Sequence, residues 1–205
     1  MKYKHIVFDI DGTLIDTEYA ILHSLQETVL LLSGKEIPFS ELTFALGITG
    51  VDALKSLGIK DISHAIELWG KNMRNYADTV TIFSGISELL ESLLKLNYEI
   101  GIVTSKTKEE FEHDFCPFGI QHYFKTIICA DDTKVHKPNA APLLKYMELS
   151  GADSREILYV GDSEYDSECA ENAGCDFALA VWGSQSPTIK ANYYLKRPDE
   201  LLTLQ

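Results

Sequence analysis

Asp9 and Asp11 stand two residues apart, followed by Gly12 and Thr13, directly after the apolar run Ile6-Val7-Phe8. A short apolar run that ends in acid reads as a fully buried strand. Two carboxylates at the end of such a strand approach one site once the chain turns. Gly12 permits a tight turn and leaves a backbone amide open to an anion. Taken alone, the fragment reads equally well as an Asp-Gly turn. A second acidic pair, Asp162 and Asp166, follows the apolar run Ile157-Leu158-Tyr159-Val160. Two strand ends with the same chemistry are hard to explain as turns. Crowded like charges must be paired, protonated or bound to a metal, and oxygen donors suit Mg2+.

Two weaker signals accompany them. Thr104-Ser105 follows the apolar run Ile100-Gly101-Ile102-Val103, where a hydroxyl and successive amides could hold phosphate oxygens. The same pair also reads as a polar loop with a helix cap. Lys137, before Pro138, could neutralise an aspartate or a phosphoryl oxygen, although most lysines are solvated surface residues.

The elements that must position these groups alternate. Besides the runs already named, Thr126-Ile127-Ile128-Cys129 and Phe177-Ala178-Leu179-Ala180-Val181 read as strands. Between them, Ile86, Leu89, Leu90, Leu93 and Leu94 recur at helical spacing, and residues 164–173 form a shorter helix stopped by Gly174. Thr107 with Glu110, and Asp153 with Glu156, stand at capping-box spacing. Alternating strands and helices imply right-handed crossovers and an α/β fold with a mostly parallel sheet. Ligands bind such sheets beyond the carboxyl ends of the strands, where short loops converge.

Residues 17–82 break the alternation, with almost no strand signal. Ile21, Leu22, Leu25, Val29 and Leu32 mark one amphipathic helix, and Ile62, Ala65, Ile66 and Trp69 suggest another. The pattern predicts a core of residues 1–16 and 83–205 with a helical insertion over 17–82, its turns punctuated by Gly34, Pro38, Gly47, Gly50 and Gly58.

Composition narrows the function further. In 205 residues, 45% are hydrophobic and 24% charged, too apolar for a disordered chain. The 18 Lys plus Arg against 31 Asp plus Glu give a net charge of −13, which opposes attraction to nucleic acid or an anionic membrane. An anionic substrate therefore needs a local positive pocket and a metal. Cys116, Cys129, Cys169 and Cys175 form no CxxC pair, and unpaired thiols suit a reducing, cytoplasmic setting. The apolar run beginning at Ile6 stops at Asp11, shorter than a signal peptide requires, and no later run is long enough to span a membrane.

In order and spacing, Asp9-Ile10-Asp11-Gly12-Thr13, then Thr104, Lys137, and Asp162 with Asp166, the chain resembles the haloacid dehalogenase-like phosphohydrolases from Asp9 through Trp182. Asp16-Thr17-Glu18 resembles the segment leading into the helical cap of the phosphoglycolate-phosphatase-like branch. The resemblance implies a three-layer Rossmann-like core with an α-helical cap and a Mg2+-dependent phosphatase. Asp9 would be the nucleophile that forms an aspartyl-phosphate, and Asp11 the acid/base. Asp9, Asp162 and the backbone carbonyl of Asp11 would ligate Mg2+, with Asp166 tuning the site or its waters. Gly12, Thr104, Ser105 and Lys137 would hold the phosphoryl group.

Departures from relatives sharpen this expectation. A true haloacid dehalogenase lacks the acid/base aspartate supplied here by Asp11, and related sugar-phosphate mutases carry a histidine where Ile21 stands. An inorganic pyrophosphatase, whose leaving group the core would accept, and a sugar-phosphate mutase stay as the alternative activities. A small phosphorylated metabolite is expected, with phosphoglycolate, a sugar phosphate or pyrophosphate leading, and Thr49 and Arg74 are the candidate specificity residues of the insertion. His136 reads as a loop residue, Trp69 and Trp182 as packing residues. A monomer or homodimer is expected, and a noncatalytic partner-binding module with the same fold is the competing class.

Overall fold

Burial on both sides explains why the first strand is continuously apolar, since a central parallel strand meets helices on either face. In the computed structural model, which describes residues 2–186 and 188–204, this is β1 (His5–Phe8), every residue of which is buried. Met1, Pro187 and Gln205, which fall within the domain limits read from the sequence, lie outside the described residues. The chain continues through β2 (Ile15–Asp16), α1 (Glu18–Ser33), α2 (Phe39–Leu42), α3 (Gly50–Ser56), α4 (Ile62–Arg74) and β3 (Thr81–Ile82). Then follow α5 (Ile86–Lys95), β4 (Glu99–Val103), α6 (Lys108–Glu110), β5 (Thr126–Ile128), α7 (Ala141–Ser150), β6 (Ile157–Gly161), α8 (Glu164–Ala173), β7 (Asp176–Ala180) and β8 (Tyr193–Leu195).

Six of these strands form one sheet in the order β5-β4-β1-β6-β7-β8, with every pairing parallel. Phe8 is in register with Ile102 of β4 and Val160 of β6, so β1, β4 and β6 end side by side. Neighbouring strands lie roughly 4.8 Å apart. The loops that follow them, which carry Asp9, Thr104 and Asp162, therefore converge at one edge. Strand order also reverses direction about β1, the topological position at which α/β sheets open a crevice.

Alternate residues of each strand feed opposite faces. Ile6, Phe8, Ile100, Ile102, Leu158 and Val160 pack with Ile86, Leu89, Leu90 and Leu93 of α5. On the other face Val7, Val103, Tyr159 and Leu179 pack with Leu143 and Tyr146 of α7 and Cys169 and Ala170 of α8. The result is the expected three-layer α/β arrangement. Leu94 departs from the predicted apolar face of α5 and is exposed, because helical periodicity turns it outward from the sheet.

Between β2 and β3 the chain is helical, as the missing strand signal implied. The segment has its own apolar cluster, including Leu22, Leu25 and Val29 of α1, Ala53 and Leu54 of α3, and Ala65 of α4. Trp69 Nε1 donates to Ser24 Oγ at 2.9 Å, joining α4 to α1. The two connections to this segment pair antiparallel, Ile15 with Ile82 and Asp16 with Thr81, a pair too short to register as a periodic pattern. Likewise β8, three residues with Tyr194 exposed, gave no apolar run. The Thr107/Glu110 capping box forms as expected, but α6 ends after one turn and continues as a π-helical turn over Phe111–Phe115. The Asp153/Glu156 box caps a 3-10 turn rather than an α-helix.

Candidate active site

Asp9 follows β1 and keeps its ladder, its amide donating to Val160 O at 2.9 Å. The chain then folds back at once, with the amides of Thr13, Leu14 and Ile15 all directed to Ile10 O. Gly12 takes φ +74°, a left-handed conformation that disfavours side chains, and a Cβ there would lie 2.3 Å from Asp162 Oδ2. Thr13, fully buried, donates its hydroxyl to Asp162 Oδ1 at 3.3 Å. Behind the turn, Trp182 Nε1 donates to Thr13 O at 3.0 Å. A Cβ on neighbouring Gly183 would fall 1.9 Å from Gly12 O, so two backbones meet where only glycine fits.

Asp166 occupies the first turn of α8, where the Ser163 side chain and Asp166 form a capping box. Its Oδ2 accepts from the Ser163 amide at 3.1 Å, and its Oδ1 accepts from Tyr159 Oη at 2.8 Å and Lys137 Nζ at 2.7 Å. Lys137 also donates to Asp9 Oδ1 at 2.8 Å. Carboxylate oxygens of Asp9, Asp162 and Asp166, all buried, lie within 4.8 Å of one another.

Such crowding has an electrostatic cost. Burial pushes the Asp9 carboxyl up to about 7, with Lys137 opposing and Asp166 and Asp11 adding to the rise. Burial and the neighbouring Asp166 and Asp9 drive Asp162 well above the usual carboxylate range. Burial works against the Lys137 ammonium, but Asp166 and Asp9 outweigh it and keep it protonated. A hard dication among these oxygens would relieve the remaining excess of negative charge, and the all-oxygen donor set fits Mg2+.

The Asp11 carboxylate stands outside this cluster. Its Oδ1 is buried and makes no hydrogen bond among the described residues, while Lys106 Nζ stands 3.2 Å away as an ion-pair partner. Lys106, itself buried, donates to Asp114 Oδ2 at 2.9 Å. Burial disfavours its charge, but Asp11 and Asp114 more than compensate and hold it protonated.

Thr104 is buried at the end of β4, its Oγ1 accepting from the Lys106 amide at 3.2 Å. The Ser105 hydroxyl instead faces the helical segment, donating to Gly47 O at 2.9 Å. Tyr165 Oη donates to Phe44 O at 3.3 Å, a second contact between core and helices. Between them lies a cavity of about 670 Å³, lined by Asp9, Asp11, Ser105 and Lys106 on one side and by Ile48, Trp69, Met73 and Arg74 on the other. Thr49 also lines it, but its Oγ1 caps α3, accepting from Asp52 N at 3.2 Å and donating to Asp52 Oδ2 at 2.7 Å. Arg74 is exposed and forms no ion pair among the described residues. His136 is half-buried in the loop before Lys137, as expected of a loop residue.

Lys106, Asp114 and Gly183 were not singled out from the sequence, and Thr13 and Tyr159 entered only as members of a motif and a strand, without a role of their own. Lys106 could have been found from its place two residues after Thr104. Asp114 could not, because a π-helical turn sets its direction.

A parallel sheet with carboxylates at the ends of adjacent central strands, joined by a buried lysine, defines a hydrolase of the haloacid dehalogenase-like class, and the chain belongs to that family. Residues 6–180 match the family "Haloacid dehalogenase-like hydrolase". A Clostridium perfringens protein named "Putative pyrophosphatase PpaX" is 32% identical, over 98% of this chain and 96% of its own length. Pyrophosphatase PpaX of Bacillus cereus is 28% identical, over 98% of this chain and 93% of its own. A Lactobacillus plantarum crystal structure, described as a "putative phosphoglycolate phosphatase", superposes with a TM-score of 0.90 at 30% identity, covering all of both chains. These similarities agree with the phosphoglycolate-phosphatase-like branch. Among the described residues no helix is long and apolar enough to cross a membrane.

Proposed function

We propose that this hydrolase is a Mg2+-dependent phosphatase that passes the phosphoryl group of a small phosphorylated compound through the carboxylate of Asp9. The observation that carries the reading is the division of labour between two carboxylates. Asp9 is clamped by Lys137 beside Asp162 and Asp166, whereas Asp11 keeps a buried oxygen without a hydrogen-bond partner at the cavity wall.

An Asp9 oxygen attacks phosphorus, and the bond to the leaving oxygen breaks as the aspartyl-phosphate forms. Asp11 gives its proton to that leaving oxygen. As a carboxylate it then takes a proton from the water that attacks phosphorus, and breakage of the bond to Asp9 releases phosphate. Lys137, Thr104 and the amides after β1 and β4 hold the phosphoryl oxygens. Asp9, Asp162 and the Asp11 backbone carbonyl would hold Mg2+, which offsets repulsion between nucleophile and phosphate when bound. Asp166, already engaged by Lys137, Tyr159 and Ser163, orients the lysine and would tune the site of the ion.

Residues 17–82 act as a cap in this reading, and the contacts from Ser105 to Gly47 and from Tyr165 to Phe44 hold it over the cavity. A closed cavity excludes water and favours a compact substrate over nucleic acid or a phosphoprotein. The apolar cap wall favours an organic phosphomonoester. Pyrophosphate is the second reading, favoured by the named pyrophosphatase relatives and by Lys106, Lys108 and Arg74 around the cavity. Four free cysteines are consistent with a cytoplasmic setting.

The test is hydrolysis of p-nitrophenyl phosphate by purified protein, with Mg2+ and with EDTA, alongside Asp9→Asn. Mg2+-dependent turnover that disappears in the variant is expected. No turnover across a panel of phosphorylated compounds, with saturable binding to a protein partner, would instead favour a noncatalytic module.

A further inference from the structure

Lys106 is the buried cation that the reaction outlined above leaves unused. It follows Thr104 and Ser105 in the loop after β4, and its backbone is fixed at both ends. The amide donates to Thr104 Oγ1 at 3.2 Å, and the carbonyl accepts from Ala130 N at 2.8 Å. Its side chain is only 8% exposed and ends between two carboxylates from separate parts of the chain. Asp114 receives a hydrogen bond of 2.9 Å, whereas Asp11 Oδ1 stands 3.2 Å away and accepts none.

That asymmetry matters. Asp114 holds the ammonium by a hydrogen bond, while Asp11 feels it through its charge alone. An ion pair made through the buried Oδ1 restrains the carboxylate and leaves its other oxygen to give and take the proton. Asp114, in turn, takes up a donor of the lysine and fixes where the ammonium sits. Asp114 lies in the π-helical turn Phe111–Phe115, a local widening that recurs at functional sites. An apolar residue would fill the space without the desolvation cost of a lysine this deeply buried.

We propose that Lys106, itself oriented by Asp114, is a positioning residue that holds the Asp11 carboxyl against the leaving oxygen and later against the attacking water. This rests on the phosphatase reading, with Asp11 as its acid/base. Lys106 transfers no proton and forms no bond to phosphorus. Its effect on rate passes through Asp11.

A double-mutant cycle separates this from a structural or substrate-binding role. The full-length protein with Mg2+ is assayed as wild type, Lys106→Met, Asp11→Asn and the double variant. Lys106→Met is expected to lower kcat about 10²-fold, within the range of a proton-transfer group, with little change in KM. In the Asp11→Asn background the same change should cost less than about threefold. Lys106→Arg should recover part of the loss, and the rise in Tm on adding Mg2+ should match wild type. Equal losses in both backgrounds, or a loss confined to KM, would overturn the assignment while leaving the phosphatase reading intact. Wild-type protein without hydrolytic activity would overturn that reading and this assignment with it. Should Lys106→Met not fold, Asp114→Asn takes its place in the cycle. It should show the same non-additivity with Asp11→Asn, and additivity there would overturn the proposal.

Discussion

Lys137 Nζ bridges Asp9 Oδ1 at 2.8 Å and Asp166 Oδ1 at 2.7 Å, although the three residues come from the turn after β1, the loop before α7 and the first turn of α8. Each side chain is at most 3% exposed. Lys137→Met would leave two buried carboxylates without their cation, and breaking such a pair costs about 3–5 kcal/mol. Urea unfolding should show that loss in metal-free protein. A change within about 1 kcal/mol would mean that the carboxylates are protonated and the bridge is weak.

Exchanging either of the carboxylates proposed as catalytic should separate their roles. Asp9→Asn should abolish the acid-stable phosphoenzyme seen by mass spectrometry after quenching. Asp11→Asn should retain it but slow its breakdown by roughly 10²–10⁴-fold. A phosphoenzyme persisting in Asp9→Asn, carried by another side chain, would remove Asp9 from the nucleophile's role.

Metal binding should appear as stability, independently of turnover. Mg2+ at a hundred times its Kd should stabilise the fold by about 2.7 kcal/mol, reversed by EDTA. Gly12→Ala should weaken that gain, because its Cβ enters the space of Asp162 Oδ2 and strains a backbone at φ +74°. Calorimetric titration of both proteins checks this, and equal Mg2+ affinities would count against Asp162 as a ligand.

The two residues of the helical segment singled out from sequence should behave differently. Thr49→Ala removes the N-cap of α3 and should cost about 1 kcal/mol of stability. Arg74→Ala should leave stability within about 0.5 kcal/mol, as expected for an exposed side chain. It should lower kcat/KM for pyrophosphate and phosphoglycolate more than for phosphates of uncharged alcohols. An unchanged ranking would remove Arg74 from specificity.

His5 should make the fold acid-sensitive above the range in which ordinary carboxylates titrate. Burial lowers its pKa from the usual 6.5, so the unfolded chain takes up the proton first as pH falls. The unfolded state then binds more protons, and stability declines below about pH 6.5. His5→Gln should flatten the urea midpoint between pH 7 and 5.5 relative to wild type. Parallel profiles would show that His5 titrates normally.

The sequence by itself determined the strand ends and the chemistry attached to them. Buried parallel strands are apolar on both faces, so β1, β4 and β6 were legible as runs, and Asp9, Thr104 and Asp162 followed from where those runs stop. The helical stretch was legible because α1 and α4 each keep an apolar stripe. Short or half-exposed pairings such as β2 with β3, and β8, carry too few residues to show a period. Only the tertiary structure decided which charges meet. The loops beyond the strands set Lys137 between Asp9 and Asp166, and the packed helical segment gave the Ser105 hydroxyl its acceptor at Gly47 O. The π-helical turn that brings Asp114 to Lys106 has no sequence period of its own, so the restraint on Asp11 could be read only from the folded chain.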